Sequence, residues 1–223
     1  MKRSANVPPE SQIEYHLREL EAALDPASPA HALPEFRQTD RSVLDIGCGI
    51  GQSLIASGDH SGCLKVGIDV DMQGLAYGHR HYPHICHVLA SAEALPFRDG
   101  VFDLVMSRVA LPYTDLRESL PEIARVSADN GRIWLSLHSF KAVARHLFES
   151  MRARAWKDVM FRFYVTANGL AFHFCEAQLR FPRGHRCESF QTRAGFVRTL
   201  RRLGFDEIRF PKGRHFLCTA HKH

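Results

Sequence analysis

No run of 18 or more apolar residues occurs in this 223-residue sequence, which excludes a spanning helix of ordinary length. No Cys-x-x-Cys pair occurs either. The six cysteines are scattered, so free thiols in a reducing cytoplasm are expected rather than disulfides or a zinc site. Lys2 and Arg3 have no apolar segment behind them, and residues 1–9 are not expected to act as a secretory signal. Histidines are dense at His79, His81, His84 and His87, but there they fall on a helix end and a strand start. That spacing does not aim three ligands at one point, and no metal site is expected. A dinucleotide fingerprint is missing too: Gln52 stands where G-x-G-x-x-G needs its last glycine.

What is present centres on residues 43–51, V-L-D-I-G-C-G-I-G. Val43, Leu44 and Ile46 form the apolar run of a buried parallel strand. Gly47, Gly49 and Gly51 follow at once, and Ser53 to Ala56 reads as the first turn of a helix. Glycine turns admit a ligand close to bare backbone, and a helix N-terminus beside them favours a nucleotide-like group.

The rest of the chain alternates around that stretch. Ser11 and Glu14 fit a capping box, and Ile13, Leu17, Leu20 and Leu24 follow at helical spacing, with Tyr15 and His16 on the same helix. Strands are expected at 42–46, 64–69, 85–89, 102–106 and 133–137, and helices at about 51–58, 72–81 and 115–127. A turn at Asn130-Gly131 should precede the fifth strand. A helix is expected over 142–156. The aromatic block 159–174 suits either an apolar helix or a hairpin turning at Asn168-Gly169. Thr192 can cap a helix over 193–203, and strands at 205–210 and 215–220 close the chain, turning at Lys212-Gly213. The expectation is an α/β, Rossmann-like, doubly wound sheet of seven mostly parallel strands. Residues 1–40 form an N-terminal helical cap, 41–139 with 192–223 the core, and 140–191 an insertion after strand five.

The G-x-G-x-G turn, with Asp45 two residues before its first glycine, resembles motif I of the class I S-adenosylmethionine (SAM) methyltransferases. Residues 91–97, S-A-E-A-L-P-F, are similar to the D-A-E-x-L-P-F segment of methyltransferases like those of ubiquinone and menaquinone biosynthesis. The likeness covers about 41–139 well and 192–221 loosely. It implies SAM as methyl donor, leaving S-adenosylhomocysteine. It assigns Asp45 to the cofactor's amino acid end and Asp69 to the ribose, lets the cofactor lie over the turn of Gly47, Gly49 and Gly51, and places Cys48 and Val70 among the cofactor-binding residues. Ser91, Ala92 and Glu93 go to the adenine, where Ser91 replaces the usual aspartate and is a weaker partner. The likeness also implies that Ser107 and Arg108 emerge beside the methyl group and that an N-terminal helix closes over the cofactor. Asp103 reads as structural, and Asp71 as the better helix cap after strand two.

A base is needed only where the acceptor must lose a proton. His138, at the carboxyl end of strand five, is the candidate, with Arg108 and Tyr113 from the loop after strand four beside it. The acceptor is expected to be a small molecule, anionic or aromatic, held by residues 140–191 as a lid, with oxygen as first choice of acceptor atom. Charge leaves two rivals. Residues 1–140 carry 12 Lys and Arg against 18 Asp and Glu, whereas 141–223 carry 17 against 6, net +11. The basic half allows an RNA or tRNA methyltransferase, although no RNA-binding module is visible. It also allows a non-enzymatic SAM-binding protein that docks an anionic membrane or a partner.

Overall fold

In the computed structural model, which describes residues 11–108, 110–181 and 187–223, the sheet is built outward from β1 (Ser42–Ile46). Beside it lie β2 (Leu64–Asp69) and β3 (Cys86–Leu89) on one side. On the other side lie β4 (Phe102–Ser107), β5 (Ser127–Leu137), β7 (Phe216–Lys222) and β6 (Phe205–Arg209). The order among the described residues is thus β3-β2-β1-β4-β5-β7-β6. β1 to β5 are parallel, and β7 runs antiparallel between β5 and β6. This is the class I methyltransferase form of the Rossmann-like sheet. The order reverses between β1 and β4, and ligands of such sheets bind outside the strands' carboxyl ends at that point. Residues 1–9, which are not expected to act as a secretory signal, lie outside the described residues.

Alternation along β1 sets the two layers. Leu44 and Ile46 enter a core with Leu120, Ile123 and Phe196, whereas Val43 faces Leu54, Ile85 and Met106. The first layer holds α4 (Leu116–Val126) and α7 (Arg193–Arg202), the second α2 (Gln52–Ala56). α3 (Met72–His81) is capped by Asp71, whose side chain accepts from Gln73 N–H. Asp103 is structural: its Oδ2 accepts from the N–H of Arg41 at 2.8 Å and of Ser42 at 3.0 Å, fastening the start of β1 to β4.

The cap helix α1 (Gln12–Leu24) carries the expected capping box between Ser11 and Glu14. Its buried face differs from the periodic one: His16, Leu20 and Ala23 are buried, while Leu24 is 54 % exposed. α2 is shorter than expected, ending where Gly58 turns at φ +77°. The turn at Asn130-Gly131 is absorbed into β5, which starts at Ser127. The register with β4 then slips from Phe102–Ser127 to Leu104–Arg132, with Asn130 at φ +62°.

The helix expected over 142–156 is α5 (Phe140–Arg152), which ends four residues earlier, and Trp156 already opens the next helix, α6 (Trp156–Cys175). Arg154, at φ +53°, breaks them. Asn168-Gly169 makes no hairpin. The Asn168 amide donates to the carbonyls of Leu179 and Glu188 and accepts from Leu179 N–H. A Cβ on Gly169 would stand 2.2 Å from the Phe190 ring. Tertiary partners therefore use both residues inside a helix and override the local turn signal.

Candidate active site

A cavity of about 430 Å³ lies at the switch point, under α1 and over the carboxyl ends of β1, β2 and β4. Its volume is in the range of small-ligand pockets. The glycine turn forms one wall. Gly47 at φ +75° and Gly49 at φ +56° adopt backbone that L side chains avoid, and both lack room for one. A Cβ on Gly47 would stand 2.1 Å from Ala110 Cβ, and one on Gly49 2.6 Å from His16 Nδ1. Gly47 and Cys48 both donate their N–H to Ile68 O, which pins the turn to β2.

Two carboxylates mark the strand ends. Asp69 accepts from Gly49 N–H at 2.7 Å and from Asp71 N–H at 2.9 Å, and it lines the cavity. Asp45, two residues before the first glycine, is not among the residues that line the cavity: it is 1 % exposed, with Oδ1 unpartnered among the described residues. Burial raises its pKa to about 7. Arg108 and a hydrogen bond from Ser53 pull it down, and Asp69 pushes it up.

Of the residues expected at the site, Gly47, Cys48, Asp69, Val70, Ser91, Ala92, Glu93, Arg108 and Tyr113 line this cavity. Gly49 and Gly51 stand behind the turn, Gly49 holding Asp69 and Gly51 serving as N-cap of α2. Ser91 gives its hydroxyl hydrogen to Glu93, and Glu93 Oε1 accepts from Asp115 N–H at 3.0 Å. Burial pushes the Cys48 thiol well up, so it stays protonated. Ser107 does not enter the cavity. Fully buried, it donates to Ile46 O at 3.0 Å and accepts from Leu111 N–H at 3.2 Å, bracing the turn after β4. Arg108 is not free, since its guanidinium meets Glu19 of α1 at 3.0 Å.

His138 lines a second cavity, of about 310 Å³, that shares Glu19 and Arg108 with the first. Its ring meets Tyr113 edge-on, with centroids 5.1 Å apart. Burial, with Arg162 and His146 nearby, lowers its pKa and keeps the imidazole neutral. Its backbone is clamped at both ends by Gln191: His138 N–H donates to Gln191 Oε1 at 2.9 Å and His138 O accepts from Gln191 N–H at 2.8 Å. Arg214 and His215 line the same cavity. Arg214 makes no ion pair among the described residues, and His215 Nε2 is buried without a hydrogen-bond partner there.

Sequence reasoning missed Gln52 and Ser53, which also line the first cavity. Gln52, whose presence breaks the dinucleotide spacing, donates to His16 Nδ1 at 2.9 Å. Its position directly after the last glycine was the available signal. No metal-binding group of three or more His, Cys, Asp or Glu occurs among the described residues.

Residues 44–135 match the family model described as methyltransferase domain. Malonyl-[acyl-carrier protein] O-methyltransferase from Erwinia billingiae is 34 % identical over 104 residues, covering 45 % of this chain and 40 % of that protein. Demethylmenaquinone methyltransferase from Mycobacterium marinum is 27 % identical over 190 residues, 78 % of this chain and 75 % of that one. The first of these matches thus spans less than half of its relative's length. The structure of human N-acetylserotonin methyltransferase in complex with SAM superimposes with a TM-score of 0.61 at 15 % identity, over 95 % of this chain and 55 % of that one, a likeness of fold.

Proposed function

We propose that this protein is a SAM-dependent methyltransferase acting on a small-molecule acceptor, a reading supported by the match of its residues 44–135 to the methyltransferase-domain family. The observation that carries the reading is the switch-point cavity, walled by the bare backbone of Gly47 and lined by the Asp69 carboxylate at the end of β2. The residues present fit the cofactor. Asp45 keeps an orphaned, buried carboxylate oxygen beside the glycine turn, which suits the ammonium of an amino acid moiety. Asp69, with lone pairs left beyond its two backbone bonds, suits the ribose hydroxyls. Ala92 and Val70 offer apolar surface to the adenine.

SAM supplies a methyl group already activated on a sulfonium, so the chain's work is chiefly positioning. Glu19 holds Arg108 where the two cavities meet. Gln191 fixes His138, whose neutral imidazole can take the proton from an acceptor hydroxyl. Arg214, which makes no ion pair among the described residues, and His215, whose Nε2 has no hydrogen-bond partner among them, favour an acceptor with an anionic group, and oxygen remains the favoured acceptor atom. The insertion after β5 serves as a wall of the acceptor site, a reading supported by Ala142 of α5, which lines the second cavity beside His138.

Labelled SAM with matched carboxylate and neutral acceptors tests this. Acceptor-dependent transfer should fall in kcat with His138→Ala and rise in KM with Arg214→Gln. Equal use of carboxylate and neutral acceptors would remove the anionic assignment, and absence of transfer to any acceptor would remove the enzymatic one.

A further inference from the structure

α6 is apolar on the side that faces solvent. Trp156, Met160, Phe163, Ala167, Leu170 and Phe174 recur at spacings of four and three, one stripe on a helix of 20 residues and about 30 Å. All six are exposed, Trp156 at 67 % and Met160 at 74 %. The opposite side carries the helix's packing through Val165, Asn168, Gly169 and Phe172. Thus the stripe is a second apolar face that the fold does not use. Phe148 and Met151 of α5 are exposed as well. Contiguous apolar surface of this kind marks an interaction site.

The charges beside it identify the partner. Lys141, Arg145, Arg152, Arg154 and Lys157 are exposed on α5, on the turn and on the first turn of α6, against exposed Glu149 and Asp158. Glu149 already pairs with His146 at 3.3 Å, and Arg152 lies over the Phe148 ring at 5.9 Å. After Arg162, α6 carries no Lys, Arg, Asp or Glu. A row of aromatics and methionine with cations on the neighbouring helix and turn matches a surface helix on an anionic bilayer, its side chains in the acyl boundary and the cations at the headgroups. A second copy fits less well, because the same five cations would enter the contact from both sides. Among the described residues no helix is long and apolar enough to cross a membrane, so the helix lies on the surface.

We propose that the outer face of α5 and α6 docks the protein on anionic lipid bilayers. The chain supplies its own reporter: of its two tryptophans, Trp134 is buried and Trp156 lies on the stripe. The full chain is titrated with phosphatidylcholine vesicles with and without phosphatidylglycerol, following tryptophan emission and co-sedimentation. Emission should move to the blue, and protein should sediment, with phosphatidylglycerol vesicles, and added salt should weaken both. Phe163→Glu, at an exposed position, should weaken binding at least tenfold with an unchanged melting temperature. Arg152→Gln with Arg154→Gln, which leaves the stripe intact, should weaken it at least fivefold. Equal binding to neutral vesicles would overturn the charge assignment. Failure to bind any vesicle would overturn the docking. A lipid-free blue shift that grows with protein concentration, with a doubled mass, would assign the stripe to a second copy instead.

Discussion

His16 of the cap helix lies 3.1 Å from Asp71, the residue that caps α3, and accepts at its other ring nitrogen from Gln52 at the start of α2. With Asp71 as acceptor, Nε2 carries the hydrogen and Nδ1 is free to accept. One imidazole therefore locks α1 to both turns that border the cofactor cavity, and α1 is positioned by the site it covers.

Removing that imidazole should loosen the cap. His16→Ala leaves the Gln52 amide buried without this partner, and one such loss costs about 1–3 kcal/mol. Denaturant unfolding should show a drop of that size, and amide exchange should rise along residues 12–24. Unchanged protection there would mean that α1 is held by other contacts.

Asp45 should make the ligand-free protein less stable as pH rises. Burial raises its pKa to about 7, against an ordinary carboxylate value near ~3.9 in the unfolded chain. Between those values the folded state holds the proton and the unfolded state does not, so stability is lost from about pH 4 to about pH 7 and is level above. Asp45→Asn removes the titration. Its melting temperature should match the parent's near pH 4 and exceed it at pH 8, by a margin worth on the order of a few kcal/mol, while SAM binding weakens. Parallel melting curves from pH 4 to 8 would contradict this.

Much of this site was legible because its parts are local. The glycine turn, Asp69 and the segment that begins Ser91-Ala92-Glu93 each follow a strand's carboxyl end, and the switch point gathers them at one cavity. His16 was visible only as a residue on a helix. Its partners are 36 and 55 residues away, a separation that no periodicity reports. Ser107 misled because a strand's end says where the backbone leaves, while its hydroxyl was taken by Ile46 O and Leu111 N–H. Asn168-Gly169 carried a strong turn signal that Leu179, Glu188 and Phe190 overrode. His138 follows the carboxyl end of β5 as its place in the sequence implies, yet it lines a neighbouring cavity that shares only Glu19 and Arg108 with the first.

Two glycine substitutions separate strain from crowding. Gly47 and Gly58 share a positive φ, +75° and +77°. A Cβ at Gly58 meets nothing within 4 Å, whereas one at Gly47 would overlap Ala110. Gly58→Ala should cost roughly 1 kcal/mol, and Gly47→Ala a further 1–3 kcal/mol with loss of ligand binding. Equal losses in chemical denaturation would show that Ala110 moves aside freely.

Calorimetry with SAM on the parent chain and on Asp69→Ala tests the central claim most directly. Asp69 both faces the cavity and holds the Gly49 and Asp71 backbone. The parent should bind one SAM per chain, and the variant should bind at least tenfold more weakly, a loss of about 1.4 kcal/mol or more. A parent that does not bind SAM, or a variant with unchanged affinity, would contradict the account.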